Sequence, residues 1–270
     1  MEIRIFKSLW GLNDQRHSDA NLAQIRSAGY DGVEAEVPDM EPGTWKDMCA
    51  RHGLAYIAQI YPFTGEEFVS AVRKARDYGP LLVNCHSGRD KMSFDEGCAF
   101  FETALKAEKD LGVPVAHETH RHRLLYAPWT TVRYLERFPD LMITADYSHW
   151  CCVCESLLQD LQDMLAVTFP RVLHIHGRIG HEEGPQVPDP RAPEYQRCVD
   201  AHETWWDAVR DAREKAGAKR LTFDPEFGPW RYMPCLPYTR QPVAGLWDLC
   251  LWGADRLRER WGIPRAKQAS

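Results

Sequence analysis

Eight short apolar runs, at residues 3–10, 32–37, 55–61, 81–87, 113–119, 141–147, 172–178 and 220–226, read as β-strands. Between them lie amphipathic stretches with helical spacing, among them Asp19 to Ala28, Glu66 to Tyr78, Phe94 to Leu111, Thr131 to Phe138, Glu155 to Val167 and Tyr195 to Ala216. Ser18 and Ser93 stand where helix N-caps belong, and Gly29, Gly53, Gly79, Gly112 and Gly217 stand where helices should stop. Pro139 and Pro170 mark two further helix ends. Regular alternation with eight strands predicts a single (β/α)8 barrel over residues 1–270 rather than a doubly wound sheet.

Strand parity sorts the polar residues. Ala116, Glu118 and His120 share one face of the fifth run, and Val115 and His117 take the other. In the seventh, Leu173 and Ile175 are expected to face surrounding helices, leaving His174, His176 and Arg178 toward the barrel axis. In the eighth, Leu221 and Phe223 point outward while Thr222, Asp224 and Glu226 point inward. Glu118, Asp146, His176 and Glu226 therefore end four successive strands on the inner side. Parallel strands of a barrel converge at their carboxyl ends, so these oxygen and imidazole ligands are expected to form one open divalent-metal site.

Two proline-rich insertions interrupt the rhythm, at about 181–191 and 228–242. Both follow strands at the carboxyl face and are expected to roof the site.

Composition narrows the partners. A formal net charge of −6 argues against a nucleic-acid partner. No apolar stretch approaches the roughly 20 residues that span a bilayer, which argues against a membrane partner. Nine cysteines, an odd number, and a start directly in a strand-like run point to a reduced, cytoplasmic protein. A homo-oligomer is left open.

The order Glu118, Asp146-Tyr147-Ser148-His149, His174-Ile175-His176 and Glu226 resembles the xylose isomerase-like barrel superfamily, whose members include D-tagatose 3-epimerase, inosose dehydratase and endonuclease IV. Within it the chain looks like the proteins called sugar phosphate isomerase/epimerase. The resemblance implies that Glu118, Asp146, His176 and Glu226 hold one Mn²⁺ ion, with Mg²⁺, Co²⁺ or Zn²⁺ as alternatives, and that His149 contacts substrate. The epimerases carry an Arg several positions beyond the metal His; here Arg178 follows more closely and is a substrate-binding candidate. Their polar stretch after the first Glu is replaced by Thr119-His120-Arg121-His122-Arg123, so recognition on that side, with His120, differs.

The chemistry expected is proton abstraction next to a metal-chelated carbonyl of a sugar or polyol, with Glu118 and Glu226 as the two proton carriers of an isomerase or epimerase. The alternative is a lyase or dehydratase on a keto-sugar, keto-inositol or keto-glycoside. An endonuclease IV-like phosphodiesterase is disfavoured, because the third strand offers Gln59 where that enzyme's metal centre needs a His. A barrel that only binds its ligand is the remaining reading.

Several residues have plainer readings beside these. His86 and Glu36 suit either substrate contact or loop hydrogen bonding, and His174 and Asp224 suit a hydrogen-bonded network below the ligands. Cys151, Cys152 and Cys154 are spaced too tightly for an ordinary zinc knuckle and read as buried or helix-starting cysteines. Trp129, Trp150, Trp205 and Trp206 read as core, and Trp10 as a sugar-stacking surface.

Overall fold

The computed structural model describes residues 1–12 and 15–265. Its strands are β1 (Glu2–Ser8), β2 (Gly32–Glu36), β3 (Ala55–Ile60), β4 (Leu82–Cys85), β5 (Val115–Glu118), β6 (Ile143–Ala145), β7 (Val172–His176) and β8 (Arg220–Asp224). They close a barrel in chain order, with neighbours parallel and β8 returning to β1. Parallel pairing requires a crossover after each strand. The helices are α1 (Asp19–Ser27), α2 (Pro42–Arg51), α3 (Gly65–Asp77), α4 (Phe94–Leu111), α5 (Pro128–Arg137), α6 (Tyr147–Cys154), α7 (Gln162–Thr168), α8 (Gln196–Lys215) and α9 (Leu246–Trp261). Among the described residues no helix is long and apolar enough to cross a membrane.

Local chemistry explains the helix ends. Ser18 accepts from Asn21 N, and Ser93 forms a reciprocal capping box with Glu96 at the start of α4. The glycines expected at helix ends all take positive φ; Gly112, at φ 65, ends α4 by turning left-handed, a conformation that a Cβ would oppose.

Two cores follow from strand alternation. Outward-facing Val33, Val83, Val115, Ile175, Leu221 and Phe223 pack against the helices. Inside, Phe6, Ile57, Leu82 and Ala116 plug the amino-terminal end of the barrel. Gly32 stands opposite Phe6, and a Cβ there would meet the Phe6 ring at 2.3 Å, so the plug depends on its small neighbour. Above the plug the same inward columns turn polar: Ile57 is followed by Gln59, Leu82 by Asn84, and Ala116 by Glu118. The candidate site residues therefore sit on an apolar floor at the carboxyl end.

Three expectations need correction. The helix expected over Glu155 to Val167 begins earlier: α6 runs to Cys154, Glu155 and Leu158 take left-handed φ values of 47° and 55°, and α7 starts at Gln162. Asp146 caps α6, so the strand end expected to supply a ligand also starts a helix. Leu173 does not face the helices. The register of β6 against β7 shifts at this point, pairing Ile143 with Val172 and Thr144 with His174, and the extra residue Leu173 packs against the plug. Trp129 is 44% exposed, whereas Trp150, Trp205 and Trp206 are buried. The cysteines at 151, 152 and 154 lie free on α6, with Cys151 buried.

Candidate functional site

Deepest above the plug is Glu34 of β2, which is fully buried. Its carboxylate accepts from His174 Nε2 (2.8 Å), from His176 Nε2 (3.1 Å) and from Asn84 Nδ2 (2.9 Å). Burial opposes its ionisation, but His176 and His174 outweigh burial and hold the carboxyl well below its ordinary value. His174 is also tied to Thr222 of β8 at 2.7 Å. Sequence reasoning singled out Glu36 and missed Glu34 and Asn84. The signal was available: Glu34 and Glu36 share a face, and a carboxylate in the middle of a strand at the inner position must meet partners in the barrel. Glu36 itself stands at the mouth, 3.4 Å from Arg16.

The four proposed ligands come together one step higher. Asp146, His176 and Glu226 bring ligand atoms within 4.8 Å of one another, and Glu118 lies 3.6 Å from His176 Nδ1. Each is aimed by its neighbours. Asp146 spends Oδ1 on Ser148 N as helix cap, and its backbone N–H donates to Thr119 Oγ1, leaving Oδ2 inward. Asn84 donates to Glu118 Oε2 at 2.8 Å while holding Glu34, so one amide fixes two carboxylates. Glu34 takes the Nε2–H of His176, which turns Nδ1 toward Glu226 (3.1 Å) and Glu118.

A divalent cation suits this arrangement. Asp146 Oδ2 and His176 Nδ1 are buried and make no hydrogen bond. Buried polar atoms of that kind call for a partner. Arg178 is the cation set among the carboxylates, 3.1 Å from Asp146 Oδ2 and bonded to Glu226. With buried Lys7, whose charge acts on Asp224, it offsets part of the negative charge of Glu34, Glu118, Asp146, Asp224 and Glu226, all buried. The acidities reflect the shortage of positive charge. Burial pushes Asp146 up to about 6 despite Arg178. Burial and Glu34 push Asp224 well above the carboxylate range. Burial favours a neutral His176, yet Glu226, Glu34 and Glu118 raise it well above the imidazole range. Three carboxylates with one imidazole form a hard donor set that a divalent ion would fit.

A pocket of about 180 Å³ opens above these groups, bordered by Glu118, Glu226, His86, His120, Arg178 and Tyr232 and flanked by Trp10, Gln59, Tyr61, Arg16 and Glu36. His86 lies 2.7 Å from Glu118 Oε2. Burial opposes ionisation of Glu118, but His86 and His176 hold its carboxyl well below the ordinary range. His149, the other substrate-binding candidate, is fully buried behind His120, with ring centres 3.8 Å apart, and its Nε2 lies 3.6 Å from Asp146 Oδ2. Burial keeps both His149 and His120 well below the imidazole range, so both rings are neutral.

The insertion after β8 supplies Tyr232, whose ring lies 4.5 Å from the Arg178 guanidinium and 5.0 Å edge-on to Trp10. The insertion after β7 supports it. Buried Gln186 exchanges two hydrogen bonds with the backbone of Gly228, at 2.7 and 3.2 Å. Gly228 fits directly beneath Trp10, where a Cβ would approach the indole to 2.2 Å.

No protein-family model matches the chain, and no curated protein does. Solved structures do. The probable 3-DHS dehydratase AsbF from Bacillus anthracis aligns over 95% of this chain and 99% of its own, with a TM-score of 0.62 and 14% identity. A xylose isomerase-like TIM barrel protein from Mycobacterium smegmatis in complex with magnesium covers 89% of this chain and 87% of its own, at TM-score 0.58 and 11% identity. The AP endonuclease, family 2, from Brucella melitensis covers 82% and 91%, at TM-score 0.55 and 15% identity. At these identities the likeness is one of fold: this chain is a (β/α)8 barrel similar to the xylose isomerase-like barrels, as its strand order and spacing led one to expect.

Proposed function

We propose that this protein is a divalent-metal-dependent isomerase or epimerase of a small sugar or polyol, working by proton abstraction next to the carbonyl. The observation that carries the reading is the meeting of Glu118, Asp146, His176 and Glu226 beneath a small polar pocket, with Asp146 Oδ2 and His176 Nδ1 left without hydrogen bonds. When bound there, the ion polarises the substrate carbonyl and acidifies the adjoining C–H. The remaining work falls to side chains. Glu118, at the end of β5, and Glu226, just after β8, both border the pocket, so a substrate held there would meet two carboxylates from different strands. One removes the proton and the other returns it. The contacts of Glu118 with Asn84, His86 and His176 all fall on Oε2, which leaves Oε1 for proton transfer. Arg178 restrains Glu226, and Trp10 and Tyr232 offer apolar faces to the C–H side of a sugar.

One observation favours a second reading. His86 and His120 stand side by side at the pocket wall, ring centres 4.5 Å apart, beside Glu118. His86, the ring paired with Glu118, would protonate a departing β-hydroxyl, making the same proton abstraction the first half of a dehydration.

Both readings share an early step that can be measured. The Mn²⁺-loaded protein, incubated in D₂O with ketoses, inososes and keto-glycosides, is expected to exchange deuterium at the carbon next to the carbonyl, read by NMR. A dehydratase would add the vinylic signal of an elimination product. Fully metal-loaded protein that exchanges no member of the panel would overturn both readings.

A further inference from the structure

We infer that Ser87, His117 and Glu108 form a positioning relay behind the barrel wall that holds His86 against Glu118. The proposal rests on the reading above, in which Glu118 moves a proton with His86 beside it. Ser87 Oγ lies 2.6 Å from His117 Nδ1, and His117 Nε2 lies 3.0 Å from Glu108 Oε1 of α4. Ser87 directly follows His86 in the chain, and His117 directly precedes Glu118. The ends of β4 and β5 are therefore tied twice at adjacent residues: His86 to Glu118 at 2.7 Å inside the barrel, and Ser87 to His117 outside it.

Strand pairing explains why a side-chain tie is needed. The register of β4 with β5 ends at Cys85 opposite His117. Beyond that pair the His86 N–H turns away to the Ile60 carbonyl of β3, at 2.9 Å, and the Ser87 carbonyl accepts from Leu124 N farther along the chain. The Ser87–His117 bond takes the place of the next rung to β5 itself, and so fixes how His86 approaches Glu118. The order of donors is set as well. A carboxylate only accepts, so His117 Nε2 carries the hydrogen toward Glu108, and Nδ1 receives the Ser87 hydroxyl, whose other contacts, both to Cys85, are 3.3 and 3.4 Å.

The surroundings leave the ring little freedom. Phe68 of α3 stacks on His117 with ring centres 5.7 Å apart, and Phe101 of α4 meets it edge-on at 5.2 Å. A polar chain among aromatic rings is costly unless each member is bonded, and once bonded it favours a single geometry. A serine, a histidine and a carboxylate in a row also suggest a nucleophile, but Ser87 and His117 are fully buried and neither borders the pocket. A plain tie between α4 and β5 accounts for Glu108 and His117 and assigns nothing to Ser87.

The test combines ring NMR of the full chain carrying isotope-labelled histidine with isotope exchange in D₂O, and circular dichroism controls for folding. His86 signals are identified by their loss in His86→Ala. Glu108→Ala and Ser87→Ala should each shift the His86 signals while those of His202, buried on α8, stay in place. On a substrate that exchanges, both variants should lower kcat by about 10–100-fold at nearly unchanged KM. Glu108→Gln keeps an acceptor for Nε2–H and should restore both readouts. The double variant should lose no more than either single one, and in His86→Ala neither substitution should add a further loss, because both act through the same ring. His86 signals that stay in place in both Ala variants would overturn the relay, whether or not a substrate is found. Losses that persist in His86→Ala, or that add in the double variant, would reduce the three residues to packing. A panel without any exchange would overturn the proposed function, and the ring spectra would still decide the relay.

Discussion

Glu34 and Asp146 are both buried carboxylates of the barrel interior, and they respond to burial in opposite ways. Glu34 has hydrogen-bond partners on both oxygens and is held well below the ordinary carboxylate range by His176 and His174. Asp146 has one oxygen committed to its helix cap and the other beside Arg178 without a hydrogen bond, and burial raises it to about 6. The first environment is complete from protein atoms alone, and in the second one guanidinium is shared between Asp146 and Glu226. A buried charge with all its partners supports the fold; one that lacks a partner marks the place for a ligand.

The largest expected effect is on chemistry at the incomplete level. Glu118→Gln keeps an oxygen ligand but loses the basic carboxylate, so substrate-carbon isotope exchange should fall by about 10²–10⁴-fold while metal still binds. His176→Ala and Glu226→Gln should lose the metal and all exchange together. Wild-type exchange by metal-loaded Glu118→Gln would reduce Glu118 to a ligand and leave a one-base mechanism.

The next effect concerns stability and should separate the two carboxylates. Glu34→Ala strands the two imidazoles bonded to it, and breaking a buried charged pair in this way costs about 3–5 kcal/mol. Asp146→Asn removes a charge that burial already disfavours, so the metal-free protein should lose little stability while metal affinity collapses. Urea unfolding with and without chelator distinguishes them. Equal losses in the two variants would mean that the completed and incomplete levels are not different in kind.

The third effect is on pH. Glu34, with a depressed value, contributes stability above the unfolded carboxyl range that is lost as pH falls through its folded value. Asp146, raised to about 6, has the opposite sign: between its unfolded value and about 6 the native metal-free state holds the extra proton, so this contribution grows as pH falls. Metal must displace that proton and the one on His176, which its carboxylate neighbours hold. Metal affinity should therefore rise with pH, by about tenfold per unit for each proton released. Calorimetry in buffers of different ionisation enthalpy counts the protons. Affinity that is flat from pH 5 to 8 would contradict the acidities of both groups.

The same contrast governs how much the sequence could reveal. Barrel order and the convergence of Glu118, Asp146, His176 and Glu226 were legible because period-2 alternation and spacing are local properties. The inward columns of β5 and β8 followed from parity alone. Leu173 was misread because a bulge adds one residue and reverses parity, and bulges are set by pairing with the neighbouring strand. Glu34 was passed over because its importance comes from His174 and His176, about 140 residues away in sequence and adjacent only after the barrel closes. The start of α6 was missed for a related reason: Asp146 was assigned as a ligand, and its second role as a cap depends on which oxygen faces Ser148.

The smallest expected effect tests whether the roof moves. The two insertions differ in anchorage. The one after β7 is fixed by buried Gln186, whereas the one after β8 carries Trp230 at 57%, Leu236 at 50% and Tyr238 at full exposure. Its hairpin is closed by Leu236 N to Gln241 O and Val243 N to Pro234 O, with Tyr238 and Arg240 both at positive φ, so few contacts hold it in its present position. Tyr232 is its link to the pocket, through Trp10, Arg178 and His120. Adding Mn²⁺ with a saturating polyol should slow amide exchange across 230–242 by about tenfold, equivalent to about 1.4 kcal/mol. The 181–190 insertion should change little, since its anchor needs no ligand. Tyr232→Phe loses the hydroxyl near His120 but keeps the ring on Arg178, and should retain most of that protection; Tyr232→Ala should lose it. Equal exchange in 230–242 with and without ligand would make Tyr232 a fixed wall, and the pocket would then admit substrate without closing over it.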